Sequence, residues 1–170
     1  MIMNQTTKKD KMKLLFICLG NICRSPAAEG IMAHLIEEEG EAHRIEVDSA
    51  GIGNWHVGQL PDRRMRAHGS RHGYNFCSRA RQIRTEDFDE FDLLLVMDAD
   101  NWNCVRRMAP DAEARNKVRM MTDFLTHHPH ATVVPDPYYG GDADFEWVIE
   151  LLEDACQGLL EYCRRSCLNG

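Results

Sequence analysis

A thiol, a guanidinium and a hydroxyl occur close together in the segment Cys18-Leu-Gly-Asn-Ile-Cys-Arg24-Ser25. Inward-pointing backbone N–H groups that run into a helix N-terminus create a positive potential suited to a tetrahedral oxyanion such as phosphate. The same potential favours the thiolate of Cys18, and the thiolate is the nucleophilic form of cysteine. The planar guanidinium of Arg24 can hold two oxygens of the anion at once, and Ser25 can donate a hydrogen bond to the sulfur. The segment therefore predicts an oxyanion-binding loop beside a cysteine nucleophile.

The backbone angles that such a loop needs are supplied by the residues in its middle. Gly20 and Asn21 adopt left-handed angles most easily, and these angles turn successive amides inward. Ile22 adds an apolar face to the floor of the pocket. The predicted phosphate-binding residues are Leu19, Gly20, Asn21, Ile22, Cys23, Arg24 and Ser25.

A carboxylate far along the chain, Asp136, is a candidate acid for the same site. It precedes Pro137, which fixes the loop and could hold the carboxylate near a cleft. An aspartate before proline is also common as a turn residue, so the residues alone leave both interpretations open. Trp55, Tyr138 and Tyr139 are predicted to line a deep slot that a long aromatic ring would fill.

Alternating strand and helix patterns surround these residues and predict a doubly wound parallel sheet. The apolar run before Cys18 is the first predicted strand, so the loop leaves a strand's carboxyl end, where such folds bind ligands. The predicted strands are 14–18, 45–48, 91–97 and 117–121, and the predicted helices are 26–39, 63–68 and 144–165.

Length and composition favour a single globular domain over residues 13–170. The chain has 170 residues, of which 44% are hydrophobic and 28% charged. Residues 1–12 are polar and lysine-rich, and we expect a disordered extension that is neither a signal peptide nor an anchor. Seven cysteines without a disulfide framework indicate the reducing cytoplasm. The net charge of −7 argues against nucleic acid as a partner, and no apolar run is long enough for a membrane span.

Taken together, the motifs resemble those of the low-molecular-weight protein tyrosine phosphatases, from about Lys13 to about Tyr162. The resemblance implies a flavodoxin-like, four-stranded parallel sheet with helices on both faces. It also implies a phosphotyrosine-containing protein as substrate, no cofactor and no metal, and it leaves weak self-association open. The matching segments beyond the loop are Asp48-Ser49-Ala50-Gly51, Trp55-His56-Val57-Gly58, Ala80-Arg81-Gln82-Ile83, Met97-Asp98 with Asn101, and Asp136-Pro137-Tyr138-Tyr139-Gly140.

The resemblance also implies a role for each matching residue. Cys18 is expected to be the nucleophile and Arg24 the phosphate clamp, with Asp136 as general acid and then general base. Asn21, Ser25 and Ser49 are expected to support the loop.

The sequence departs from the family at Ser78, where many members carry histidine. This difference puts one supporting hydrogen bond in doubt, so Ser49 is expected to carry more of the support, with His72 as an alternative substitute. Relatives with threonine in place of Ile22 resemble phosphoarginine phosphatases, which this chain therefore does not favour.

Cys23 raises a redox question because it shares a tight loop with the nucleophile. A reversible Cys18–Cys23 disulfide would protect the thiolate from irreversible oxidation. The alternative is that Cys23 is a small buried side chain that fills the loop interior, and the two roles are compatible.

Two other functions remain as alternatives. A thiol-dependent arsenate reductase of the same fold needs two further thiols after the third strand, whereas Cys104 is the one cysteine there. A non-catalytic phosphotyrosine-binding module would need only the loop and its arginine, so Asp136 argues against it. The motif His127-His128-Pro129-His130 is interpreted as a surface loop rather than a metal site. The spacing of Cys156, Cys163 and Cys167 predicts that these side chains lie on the buried face of a helix.

Overall fold

Four parallel strands form one sheet in this computed structural model, which describes the backbone of residues 11–168 and the side chains of residues 11–166. The strands are β1 (Met12–Cys18), β2 (Ile45–Gly51), β3 (Leu93–Val96) and β4 (Val118–Met120), arranged in the order β2-β1-β3-β4. Because β2 and β3 lie on opposite sides of β1, the chain reverses its winding there. The segment after Cys18 therefore leaves the sheet where doubly wound folds bind ligands.

Helices cover both faces of the sheet, as predicted. Leu14 and Phe16 belong to one hydrophobic core, and their neighbours Leu15 and Ile17 belong to the other. All four side chains are completely buried, which explains why β1 is a continuous apolar run rather than an alternating one. The helices are α1 (Arg24–Glu38), α2 (Arg63–Arg71), α3 (Asp87–Glu90), α4 (Ala99–Met108), α5 (Ala112–Asn116) and α6 (Asp142–Leu168), with a short 3-10 helix at Met121–Phe124.

The predicted elements are present, with shifted ends. Strand β2 continues to Gly51, and α2 continues past Gly69 to Arg71. Helix α4 was not predicted because its segment is polar and has few apolar residues; it is started by Asp98, whose side chain accepts a hydrogen bond from the amide of Asn101. Of the predicted extension 1–12, residues 1–10 lie outside the described part, whereas Met12 already pairs with Ile45.

The histidine-rich turn and the cysteines of α6 have structural partners. His128 lies 3.0 Å (Nδ1) from Asp154 of α6, and within residues 11–166 no group of three or more His, Cys, Asp or Glu side chains is placed to hold a metal ion. Cys156 and Cys163 are buried, as the helical spacing predicts, whereas the side chain of Cys167 lies outside the described residues.

In the described part of the chain, no helix combines the length and apolar character needed to cross a membrane.

Candidate active site

Of the two residues predicted to give left-handed backbone angles to the loop between β1 and α1, Asn21 has a positive φ and Gly20 does not. Asn21 has φ of 58° and is the one non-glycine residue with a positive φ in the described chain. A Cβ atom on Gly51, the last residue of β2, would lie 3.0 Å from the carbonyl carbon of Gly20. The glycine therefore lets the end of β2 approach the loop closely, and the loop then leads into the N-terminus of α1 at Arg24.

Hydrogen bonds hold Asn21 in this left-handed conformation. Its amide nitrogen donates to the hydroxyl of Ser25 at 2.8 Å and to that of Ser49 at 2.9 Å. Its amide oxygen accepts from the backbone N–H of Arg81 at 3.0 Å. The side chain of Asn21 thus ties the loop to α1, to β2 and to the segment after α2, and the structure brings the predicted supports together.

A buried carboxylate extends this support to Ser78. The hydroxyl of Ser49 donates to Glu29 Oε1 at 2.6 Å, and Ser78 also hydrogen-bonds to Glu29. Burial raises the pKa of Glu29, and the two serine hydrogen bonds oppose that increase. The structure does not place His72 here, because its Nε2 lies 2.6 Å from Glu146 on α6.

The sulfur of Cys18 faces a hydroxyl that is oriented to donate. Cys18 is 3% exposed, and its Sγ lies 3.0 Å from Ser25 Oγ. Because Ser25 Oγ already accepts the hydrogen bond from Asn21, its own hydrogen is available to the sulfur. This hydrogen bond stabilises negative charge on the sulfur.

Arg24 is buried between carboxylates at the base of the site. Its Nη1 donates to Asp98 Oδ2 at 2.6 Å and to the carbonyl of Val134 at 3.2 Å. Burial disfavours the charge on Arg24, but the Cys18 thiolate and Asp98 outweigh this effect and raise the pKa of Arg24 above its usual value. The guanidinium is therefore fixed in place and stays charged.

Asp136 serves in a turn and also faces the site. Its Oδ1 accepts from the backbone N–H of Tyr138 at 3.1 Å, which is the turn arrangement that the sequence left open. Its Oδ2 lies 3.7 Å from Nη2 of Arg24. One carboxylate thus fills both roles, with one oxygen in the turn and the other in the cleft.

A pocket of about 210 Å³ opens above these groups. Cys18 and Arg24 lie at its base, whereas Trp55 is 65% and Tyr139 96% exposed at its mouth. The ring of Trp55 packs onto Gly53, where a Cβ atom would leave no space for it. The pocket lining is Cys18, Leu19, Gly20, Ile22, Cys23, Arg24, Trp55, His56, Asp136, Tyr138 and Tyr139, which includes all three predicted aromatic residues.

The same fold occurs in known proteins, and the sequence matches a known family. The sequence model of one family, described as low molecular weight phosphotyrosine protein phosphatase, matches residues 13–167. The chain belongs to this family. The predicted resemblance and the predicted α/β fold are confirmed, and the protein is a phosphatase.

Individual relatives of this phosphatase match over nearly their whole length. A putative low molecular weight protein-tyrosine-phosphatase of Synechocystis is 51% identical, over 93% of this chain and 100% of the relative. A low molecular weight protein-tyrosine-phosphatase of Streptomyces coelicolor is 40% identical, over 89% of this chain and 93% of its own. A similar solved structure is the crystal structure of a protein tyrosine phosphatase from Entamoeba histolytica with Hepes in its active site. It superposes on this chain with a TM-score of 0.89 at 43% sequence identity, and the match covers 92% of this chain and 99% of that chain.

The second cysteine of the phosphatase loop, Cys23, is buried beside the nucleophile. Cys23 is 4% exposed, and neither it nor Cys18 forms a disulfide in this structure. Burial raises the pKa of the Cys23 thiol, and the carboxylate of Asp62 and the Cys18 thiolate raise it further. Cys23 is therefore held as a neutral thiol, which fits the interior-filling role and does not exclude the redox role.

Sequence reasoning assigned no role to three residues that position the phosphatase site. Asp98 fixes Arg24, Glu29 links Ser49 to Ser78, and Arg81 contacts both Asn21 and Asp48. Asp98 had one local signal, because an aspartate just after a strand is a typical N-cap residue of a following helix. Glu29 had no such signal, since its partners lie far along the chain.

Proposed function

We propose that the protein hydrolyses phosphotyrosine in two chemical steps through a phosphate ester on the sulfur of Cys18. In the first step the thiolate attacks phosphorus, while the loop amides and Arg24 bind the phosphoryl oxygens. Asp136 donates a proton to the departing tyrosine oxygen. In the second step Asp136 accepts a proton from the attacking water, and the hydrogen bond from Ser25 assists departure of the sulfur.

One observation carries this assignment. Nucleophile and clamp share one loop, and the acid from a distant part of the chain meets them in one pocket: Ser25 contacts Cys18 Sγ at 3.0 Å, and Asp136 Oδ2 lies 3.7 Å from Arg24. A module that only binds phosphotyrosine has no use for an acid in this position, so Asp136 favours catalysis over binding alone.

The depth of the pocket supports a phosphotyrosine side chain as the substrate group. The sulfur is nearly inaccessible at the base, whereas the aromatic side chains stand at the exposed mouth. A phosphate on a tyrosine ring extends far enough to reach the base, and the ring can then pack against Trp55 and Tyr138. A phosphoserine side chain is too short to do so, and phosphoarginine stays disfavoured because of Ile22.

No observation favours the arsenate reductase alternative. Cys104 lies on α4 and is partly exposed, with Nη2 of Arg107 4.0 Å from its sulfur. It is the one cysteine of this helix, whereas a thiol relay needs two.

The proposed setting is the reducing cytoplasm, with a phosphotyrosine-containing protein as the substrate. The thiols of Cys18, Cys23, Cys77 and Cys104 support a reducing environment, since none of them forms a disulfide. The absence of a nucleic-acid partner and the open question of weak self-association stay as predicted from the sequence.

Burst kinetics with p-nitrophenyl phosphate test the mechanism directly. We expect a rapid release of one equivalent of p-nitrophenol per enzyme, followed by a slower steady rate. Mass spectrometry of acid-quenched protein should then find phosphate on the peptide that contains Cys18. Phosphate on another residue, or turnover without a phosphorylated protein, would rule out the proposed mechanism.

Oxidation provides a separate prediction about Cys23. Mild peroxide should convert the Cys18 thiolate to a sulfenic acid, which the thiol of Cys23 then converts to a disulfide with release of water. The wild type should therefore regain activity with dithiothreitol, whereas Cys23→Ser should proceed to sulfinic acid and stay inactive. Cys77→Ser, which removes an exposed thiol outside the pocket, is the matched control and should behave as the wild type. Peptide mapping that finds Cys18 joined to Cys104 would contradict the assignment and revive the reductase alternative.

A further inference from the structure

Three basic residues on one face of α2 contact the loop of Asp136 and the helix that follows it. Arg64, His68 and His72 are spaced four residues apart, so their side chains project from the same side of the helix. Nη2 of Arg64 donates to the carbonyl of Tyr138 at 2.8 Å. The side chain of Arg64 also lies over the rings of Tyr138 and Phe145, 5.5 Å and 4.7 Å from their centres.

His68 lies in the middle of this face and bridges two carboxylates of α6. Its Nε2 is 3.0 Å from Asp142 Oδ1, and its Nδ1 is 2.6 Å from Glu146 Oε1. The imidazole is 3% exposed and stacks on Phe145 with an angle of 7° between the ring planes. Each ring nitrogen thus has a carboxylate oxygen of α6 within hydrogen-bond distance.

Charged groups of both signs surround His68. Asp142 and Glu146 face it from α6, Arg64 lies one turn before it on α2, and His72 follows the last residue of α2. Hydrogen bonds from His68 and His72 lower the pKa of Glu146, so this carboxylate stays ionised in mildly acidic solution.

The contact at Asp142 connects His68 to the candidate acid. Asp142 is the first residue of α6 and follows Asp136 by six positions. Within this short segment, the amide of Gly140 donates to the carbonyl of Pro137 at 2.8 Å. The loop is thus a tight turn that is held by Arg64 at Tyr138 and by His68 at its junction with α6.

We propose that His68 is a positioning residue for the general acid, because its two hydrogen bonds to α6 hold the loop that carries Asp136. The inference rests on the proposed function. His68 touches no reacting atom; it fixes the end of a six-residue connection, and a displacement of about 1 Å of a catalytic group can cost on the order of a hundredfold in rate.

His68→Gln tests this role. Glutamine keeps a hydrogen-bond donor of similar length but carries no charge and reaches only one carboxylate. We expect kcat/KM for phenyl phosphate, a poor leaving group, to fall by about tenfold, and that for p-nitrophenyl phosphate to fall by less than about threefold. His130→Gln, at an exposed turn, is the matched control and should leave both values unchanged.

A double variant separates positioning of Asp136 from a general structural effect. If His68 acts through Asp136, then His68→Gln combined with Asp136→Asn should be within about twofold of Asp136→Asn alone. Losses that multiply in the double variant would overturn the proposal. Equal losses for phenyl and p-nitrophenyl phosphate in His68→Gln would also overturn it.

Thermal unfolding shows whether His68→Gln is folded. If it is not, Asp142→Ala removes one acceptor from the solvent side, since the side chain of Asp142 is 91% exposed. That variant must then show the same selective loss with phenyl phosphate, or the proposal is wrong. Failure of the proposed function would give a different result, because Asp136→Asn itself would then show no dependence on the leaving group.

Discussion

Cys18→Ser is expected to abolish turnover and leave phosphate binding intact. The serine hydroxyl is a poor nucleophile at neutral pH, so activity should fall by on the order of 10⁴-fold or more. The groups that bind the anion do not depend on the sulfur: Asn21 stays tied to Ser25 and Ser49, and Arg24 stays fixed by Asp98. Inorganic phosphate should therefore still bind, as measured by calorimetry.

Two controls make this prediction specific. Cys77→Ser removes an exposed thiol outside the pocket and should keep full activity. Arg24→Ala should lose phosphate binding, because Arg24 is the one arginine among the described residues that line the pocket. Activity of Cys18→Ser well above the detection limit would eliminate covalent catalysis by this residue, and loss of phosphate binding would show that the thiolate helps to order the loop.

The part of the site that could be predicted from the sequence is the part whose residues are neighbours in the chain. The loop from Cys18 to Ser25 could be predicted because nucleophile, backbone turn, clamp and helix start follow one another in the chain, and the apolar run before Cys18 places them at a strand end. Trp55 was predicted to line the pocket, and the structure places it there, with its side chain exposed at the mouth.

The contacts that position the site could not be predicted because they join distant parts of the chain. Asp98 lies 74 positions from Arg24, and nothing near it indicates that the oxygen left over from starting α4 binds a guanidinium. His68 is similar, since its partners on α6 are 74 and 78 positions away. A histidine on a short polar helix normally indicates a solvated surface, and only the packing of α2 against α6 buries it.

Ser78, which stands where many family members carry histidine, belongs to a chain of hydrogen bonds through Glu29 that the sequence did not indicate. A serine hydroxyl is much shorter than an imidazole, but Ser78 needs to reach only Glu29, which in turn accepts from Ser49. The Glu29 carboxylate connects Ser78 to Ser49, and Ser49 in turn accepts the hydrogen bond from Asn21. His72, the alternative, is occupied by Glu146 and belongs with the contacts between α2 and α6.

The second large effect is expected for Asp136→Asn, and its size should depend on the leaving group. Asparagine can keep the turn hydrogen bond to the amide of Tyr138, because its side-chain oxygen still accepts, but it has no proton to give. A phenolate departs slowly without protonation, so kcat/KM for phenyl phosphate should fall by about 10² to 10³-fold. A p-nitrophenolate is stable as an anion, and its departure should slow by much less.

The comparison of leaving groups distinguishes an acid from a residue that merely shapes the pocket. A series of aryl phosphates should show log kcat/KM falling steeply with leaving-group pKa in Asp136→Asn and only weakly in the wild type. A uniform loss across the series would remove Asp136 from the acid role and leave its 3.7 Å contact with Arg24 as its function. Asp144→Asn is the matched control, since this exposed carboxylate accepts from the amide of Gly141 outside the pocket and should leave the slope unchanged. The slope therefore measures the proton transfer itself, because a distorted pocket would lower every rate in the series alike.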